Sequence, residues 1–271
     1  MTLFYLICGS IFFTFVSVNE KKRYFLEIAY AGTAYHGWQI QPNAMSVQEK
    51  LNQALHTFLR EEIETIGAGR TDTGVHAKQL YVHFDSSQPI LNDNPSRALQ
   101  AINALLPFDI SVQRILPVAE DAHARFDATE RSYEYRIHSQ KNPFLINKSW
   151  LMRDIPDIEK MNEAAQSLLG TKDFECFSKS NTQVFTNICT IKEARWEQND
   201  EGFVFHITAD RFLRNMVRAI VGTLLEIGVK GKPISYIEEV LASKSRSKAG
   251  VSVPAHGLYL TRVIYPYIQE N

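Results

Sequence analysis

The sequence predicts an α+β protein of two tandem ferredoxin-like units (β-α-β-β-α-β) that share a mixed, largely antiparallel sheet with a central cleft. Three observations predict it. Alternating apolar runs of strand length recur between residues 23 and 118 and again between 132 and 266; amphipathic helical patterns interrupt each set; and the two sets follow the same order. With 271 residues, 45% of them apolar, the chain can bury the cores of one or two domains, and two are expected, 23–128 and 129–268.

In chain order, RYFLEIAYA (23–31) alternates as a strand. SVQEKLNQALHTFLR (46–60) is an amphipathic helix opened by Ser46 with Glu49 three positions on, the spacing of a capping box. ETIGAGR (64–70) reads as a short strand entering a Gly-rich turn. QLYVHFD (79–85) is a β-branched and aromatic strand, PSRALQAINALLP (95–107) a second helix and ISVQRILPV (110–118) a further strand. The second set runs SYEYRIHS (132–139), a helix over 158–169, strands near 190–196 and 203–209, a long helix from 212 to about 228, and LYLTRVIYP (258–266). An extra helix, PISYIEEVLAS (233–243), precedes the polar, basic SKSRSKAG (243–250), expected as an exposed loop.

A formal net charge of -1 carries no whole-chain signature of a nucleic-acid binder, so any basic surface must be local. Residues 211–248 hold eight basic and three acidic side chains, a net of +5 that leaves about -6 on the remainder. Cys8, Cys176 and Cys189 form no CxxC pair and have no His at metal-ligand spacing, which excludes a zinc or disulfide framework and fits a reducing cytoplasm. Residues 2–18 are uncharged and mostly apolar, without the positive n-region of a secretory signal. The segment 1–22 is read as an upstream mis-start; a membrane tether, at the lower limit of spanning length, and a soluble extension are the alternatives.

The most informative string is GAGRTDTGVHA (67–77), which sets Arg70, Asp72 and His76 in a turn between two strands. It lacks the Lys of a phosphate-binding P-loop, and it leads into a strand where a dinucleotide fingerprint would open a helix. Taken alone, an Asp-Thr-Gly more often organises an Asx-turn, and its arginine a surface ion pair.

The string nevertheless resembles the catalytic loop of the TruA family of tRNA pseudouridine synthases, and three further motifs keep the family order. YAGTAYHGWQIQPNAMSVQEKL (30–51) resembles its opening strand and helix, ARFDATERSYEYRI (124–137) its central tyrosine motif, and FLRNMVRAIVGTLLEIG (212–228) its late arginine helix. With HGLYL (256–260), the resemblance covers about 23–266. Departures are Ala31 where Asp is common, Thr73 where Ala is common and Ala219 where Asn is often found; Ala31 removes any contact such an Asp would make.

The resemblance implies a pseudouridine-synthase fold and an isomerase that needs no metal, nucleotide or organic cofactor. The C1'–N1 bond of a uridine breaks, the uracil rotates and a C1'–C5 bond forms, at positions 38, 39 and 40 of the tRNA anticodon stem-loop. It implies Asp72 as the carboxylate acting as nucleophile or base, Arg218 as its ion-pair partner, and Tyr133 as the residue that stacks on the flipped uracil near the C5 proton. Tyr135 lies two residues on and points the same way along the strand, so either tyrosine can be the one that faces the base. Arg70 would fill the space the base vacates, offsetting an unstacking cost of a few kcal/mol. Arg211, Arg214, Lys244 and Arg246 are candidate tRNA contacts, as are Lys230, Lys232 and Lys248, while Tyr35, His36, Trp38 and Gln39 offer stacking and hydrogen-bonding groups. His76 and His83 read as turn and strand residues with satisfied hydrogen bonds.

The resemblance further implies a homodimer with tRNA across both subunits, in the cytoplasm and without a membrane anchor. Two rivals remain from the residues alone. A non-catalytic RNA-binding module would not require Arg70, Asp72, Tyr133 and Arg218 together. A hydrolase using Asp72 with His76 would need a second acid or base within reach of Asp72, where a synthase needs an arginine and a tyrosine.

Overall fold

The computed structural model describes residues 21–90, 95–179 and 185–269. Of the apolar segment read at 1–22, all but Lys21 and Lys22 lies outside the described residues, as does Cys8. No helix among the described residues is long and apolar enough to cross a membrane.

The first half runs β1 (Lys22–Tyr30), α1 (Val47–Leu59), β2 (Ile66–Gly67), β3 (His76–Ser86), α2 (Pro95–Leu105) and β4 (Ile110–Pro117). The second runs β5 (Glu130–His138), β6 (Trp150–Leu151), α3 (Ile158–Gln166), β7 (Gly170–Asp173), β8 (Ile188–Asn199), β9 (Gly202–Ala209), α4 (Met216–Gly228), α5 (Tyr236–Ser243) and β10 (Leu258–Ile264). The ten strands among the described residues join one sheet in the order β4-β1-β3-β10-β5-β9-β8-β7, with β2 beside β3 and β6 beside β5. The pairings are antiparallel except β3–β10 and β5–β6, so the fold is mixed α+β with a mostly antiparallel sheet. The short parallel contact of His76 with Tyr259 and Ala77 with Leu260 joins the two halves and sits directly after the Gly67–Val75 turn.

Two buried clusters follow from this layout. One gathers Leu26, Ile28, Leu51, Leu55, Leu80 and Ile102, the other Met161, Leu168, Phe174, Phe205, Ile220 and Leu224. Tyr133 packs against both and therefore stands at their junction. Strand β1 is buried along both faces where simple alternation would expose one, because Phe25 is covered edge-on by Tyr265 and Tyr267 from the chain end. Glu27 on the same face is bound by Arg114, Gln79 and Tyr81.

Ser46 caps α1 by accepting the Glu49 N–H at 3.2 Å, whereas the Glu49 carboxylate accepts from Gln53 one turn on rather than reaching back. Helix α4 begins at Met216 rather than at residue 212. Asn215 adopts a left-handed φ of 66°, and the Arg214 carbonyl accepts from the Lys179 N–H, so the segment before Met216 cannot continue the helical ladder. Residues 211–215 thereby lie outside any helix or strand. Strand β7, for which Gly170–Asp173 has no apolar alternation, forms at the sheet edge by pairing with β8.

Candidate active site

The turn that carries Asp72 is held from beneath by residues 30–38. Tyr30 Oη and Thr71 Oγ1 share a hydrogen bond of 2.8 Å, Trp38 N–H donates to Thr71 O at 3.3 Å, and Gly74 N–H donates to Tyr35 O at 3.3 Å. Gly37 has φ +92° and lies so close that a Cβ there would come within 2.4 Å of the Thr71 carbonyl. Val75 N–H closes the turn on Asp72 O at 3.1 Å. This use of the opening motif corrects one expectation: Tyr35 and Trp38 are each 3% exposed and pack into the core, with Tyr35 donating to Asp109, so neither ring is free to stack on RNA. His36 and Gln39 remain exposed.

Two arginines from the second half meet the half-buried Asp72. Arg218 Nη1 lies 3.3 Å from Oδ2 and Arg214 Nε 3.7 Å from Oδ1. The pairs are not equivalent. Arg218 is 20% exposed, and its Nε donates to Val253 O at 2.7 Å while its own carbonyl accepts from Val253 N–H. Arg214 is 58% exposed and beyond hydrogen-bond distance, a pair worth about 0–1 kcal/mol. Arg218 is thus the fixed partner of Asp72, and Arg214 is held only loosely.

Two glycines allow the Val253 clamp. Gly250 and Gly222 meet with backbones touching: a Cβ on Gly222 would fall 1.9 Å from Val251 O, and one on Gly250 2.6 Å from Gly222 O. Gly250 N–H donates to Thr223 Oγ1 at 2.8 Å, fastening residues 250–253 along α4.

Tyr133 is half-buried, with its ring edge-on to Phe212 at 5.1 Å. Burial pushes its phenol up to about 12, with Arg131 opposing and Asp72 adding to the rise, so the hydroxyl stays protonated at neutral pH. Tyr135 is fully buried and donates to Pro254 O at 2.8 Å. Its hydroxyl is occupied; that of Tyr133 is not, among the described residues.

Arg70 is exposed and makes no ion pair among the described residues. Of the other basic residues singled out, Arg211 is half-buried, and Lys244 pairs with Asp173 at 3.1 Å. Arg246 is tied to Gly250 O at 3.1 Å and Ser252 Oγ at 2.8 Å, where it braces the clamp segment. His76 is buried against Tyr259, with Nδ1 accepting from Gly32 N–H and Nε2 bonded to His256 O, so it offers Asp72 no free base. No group of three or more His, Cys, Asp or Glu side chains able to hold a metal occurs among the described residues.

Arg131 was not singled out by the sequence. Its Nη1 donates to Ala128 O and Asp210 O at 2.6 and 2.8 Å, and its Nη2 to Arg125 O and Ala68 O at 2.7 and 3.3 Å. One guanidinium thus links the Asp72 turn, the 122–128 loop and the start of the 210–215 loop. The available signal was alternation: Arg131, Tyr133 and Tyr135 lie on one face of β5, an odd place for a charge unless it is bonded.

Residues 164–266 match the family model for tRNA pseudouridine synthase. Over 247 residues the chain is 51% identical to the tRNA pseudouridine synthase A of Bacteroides fragilis, covering 90% of this chain and 97% of that protein. The chain belongs to the tRNA pseudouridine synthase A family. Other members of the family show the same extent of likeness: 50% identity over 248 residues with the Bacteroides thetaiotaomicron protein, covering 90% and 91% of the two chains, and 40% over 243 residues with that of Bacillus licheniformis, covering 88% and 97%. These matches span most of both chains, so family membership extends to the Asp72 turn in the first half as well as to the arginine helix in the second.

Proposed function

We propose that this protein isomerises uridine to pseudouridine in tRNA, with Asp72 as the nucleophile or base at the target nucleotide. The observation that carries the reading is the meeting of Asp72 with Arg218, beside the protonated Tyr133. A synthase needs a carboxylate kept charged and aimed, not a second carboxylate or imidazole at its side. Membership of the tRNA pseudouridine synthase A family supports the same reading.

Tyr133 stacks on the flipped uracil with its hydroxyl near the C5 proton. Arg70, exposed and without an ion pair among the described residues, fills the gap left in the stack. Arg214, Arg211, Lys244 and Arg246 face the phosphates, Arg214 with the best support because it already lies at Asp72. The target uridines are those at positions 38, 39 and 40 of the anticodon stem-loop, and the chain acts as a cytoplasmic homodimer with tRNA lying across both subunits, combining two modest basic surfaces.

Each half, 23–128 and 129–268, is a ferredoxin-like unit. The strand orders β4-β1-β3-β2 and β10-β5-β9-β8, with antiparallel neighbours throughout each set, support that division.

The test is to incubate the purified chain with unmodified tRNA bearing uridines at 38–40 and map pseudouridine by carbodiimide-blocked primer extension. New stops at those positions are expected. Binding without any stop would favour an RNA-binding module.

A further inference from the structure

Phe126 is 75% exposed, yet the loop that bears it is fixed from several sides. His123 Nδ1 accepts the backbone N–H of Arg125 at 3.1 Å and of Phe126 at 3.3 Å, and Asp127 Oδ2 accepts from His123 N–H and Tyr267 Oη, each at 2.7 Å. Ala124 donates to His83 Nδ1 at 3.1 Å and accepts from Tyr265 Oη at 2.5 Å. The His123 ring lies 4.3 Å from the Phe126 ring, and the Arg125 guanidinium carbon 5.8 Å from its centre. A single exposed phenylalanine is unexceptional. One held rigid by this many bonds, with an exposed arginine over it, is built to be used.

Its position says by what. Arg131 Nη2 donates both to Arg125 O and to Ala68 O, so the Phe126 loop is fastened to the turn two residues before Arg70 and four before Asp72. The Phe126 loop and the Asp72 turn are therefore parts of one fastened unit. We propose that Phe126, with Arg125 beside it, is a stacking platform for a nucleobase of the tRNA neighbouring the target uridine. The inference rests on the tRNA reading above. Once the target nucleotide leaves the helix, its neighbour loses a stacking partner, and the Phe126 ring replaces it on one face while Arg125 takes the adjoining phosphate.

The test measures tRNA affinity at several salt concentrations for the parent, Phe126→Ala, Phe126→Leu, Phe126→Trp and Arg125→Ala, with pseudouridine formation by the parent as the control. Phe126→Ala and Phe126→Leu should each bind about fivefold to a hundredfold more weakly, and Phe126→Trp within about threefold of the parent. All three should keep the parent's salt dependence, because stacking releases no counterions. Arg125→Ala should lower the slope of log affinity against log salt by about one. Leucine keeps apolar bulk and the fold, so its contrast with tryptophan reads the ring itself. Affinity of Phe126→Ala within twofold of the parent, or equal weakening of leucine and tryptophan variants, would overturn the platform while an active parent leaves the tRNA reading standing. A parent that neither binds tRNA nor forms pseudouridine would overturn both.

Discussion

Arg218 holds Asp72 with one nitrogen, Nη1 at 3.3 Å, while its Nε donates to Val253 O at 2.7 Å. The second bond fixes the guanidinium plane, so the ion pair has one geometry rather than many. Lysine has three donors around a point charge but no planar fork, and cannot hold both partners in that arrangement. Arg218→Lys should therefore retain tRNA binding within about threefold and lose roughly 100-fold or more in kcat, the scale of a preorganised charge contact. Single-turnover pseudouridine formation checks it.

Tyr133 separates stacking from proton handling. Its phenol is protonated at neutral pH and burial pushes its pKa further up, and phenylalanine keeps the ring and its edge contact with Phe212. Tyr133→Phe should leave tRNA affinity within about twofold and lower kcat at least tenfold, whereas Tyr133→Leu should weaken both. Affinity and rate measured side by side distinguish the two losses.

Gly222 tests whether the clamp segment matters to chemistry. A Cβ there would meet Val251 O at 1.9 Å, and backbone must shift. Gly222→Ala should cost about 1–3 kcal/mol of stability and lower kcat by moving Val253 off Arg218. Thermal unfolding together with single-turnover rates reads both, although residue 222 itself lies outside the Asp72 ion cluster.

His83 sets an acid limit on the fold. Burial, with His123 and Arg23 adding, pushes its imidazole down to about 4 from 6.5, and its Nδ1 accepts the Ala124 N–H. The unfolded chain takes up a proton between pH 6.5 and 4 that the folded chain refuses, so this contribution is complete above 6.5 and declines as pH falls through that window. The loss should be about 1–2 kcal/mol after allowance for screening. His83→Gln, which does not titrate, should flatten the pH dependence of the unfolding temperature over that range.

The strand and helix order was legible because the apolar spacing of each element is local. The errors came where tertiary contacts override spacing. The pattern of 212–228 is helical throughout, yet the left-handed Asn215 and the bond from Lys179 to the Arg214 carbonyl delay α4 to Met216. Tyr35 and Trp38 look like exposed binding groups in a polar string, but their rings are buried in the core of the first half. Asp72 and Arg218 stand 146 residues apart, and no spacing rule brings them together; only the motif resemblance suggested the pair. For Arg131 alternation marks an odd face for a charge, but its partners are backbone carbonyls from distant loops, which the sequence does not name.

The most direct measurement is single-turnover pseudouridine formation by Asp72→Asn, a change that keeps the shape of the side chain and removes its charge. The variant should bind tRNA within about threefold of the parent, since the phosphate contacts are untouched, and form no pseudouridine. Pseudouridine formation by Asp72→Asn at the parent rate would contradict the assignment of the chemistry to this carboxylate.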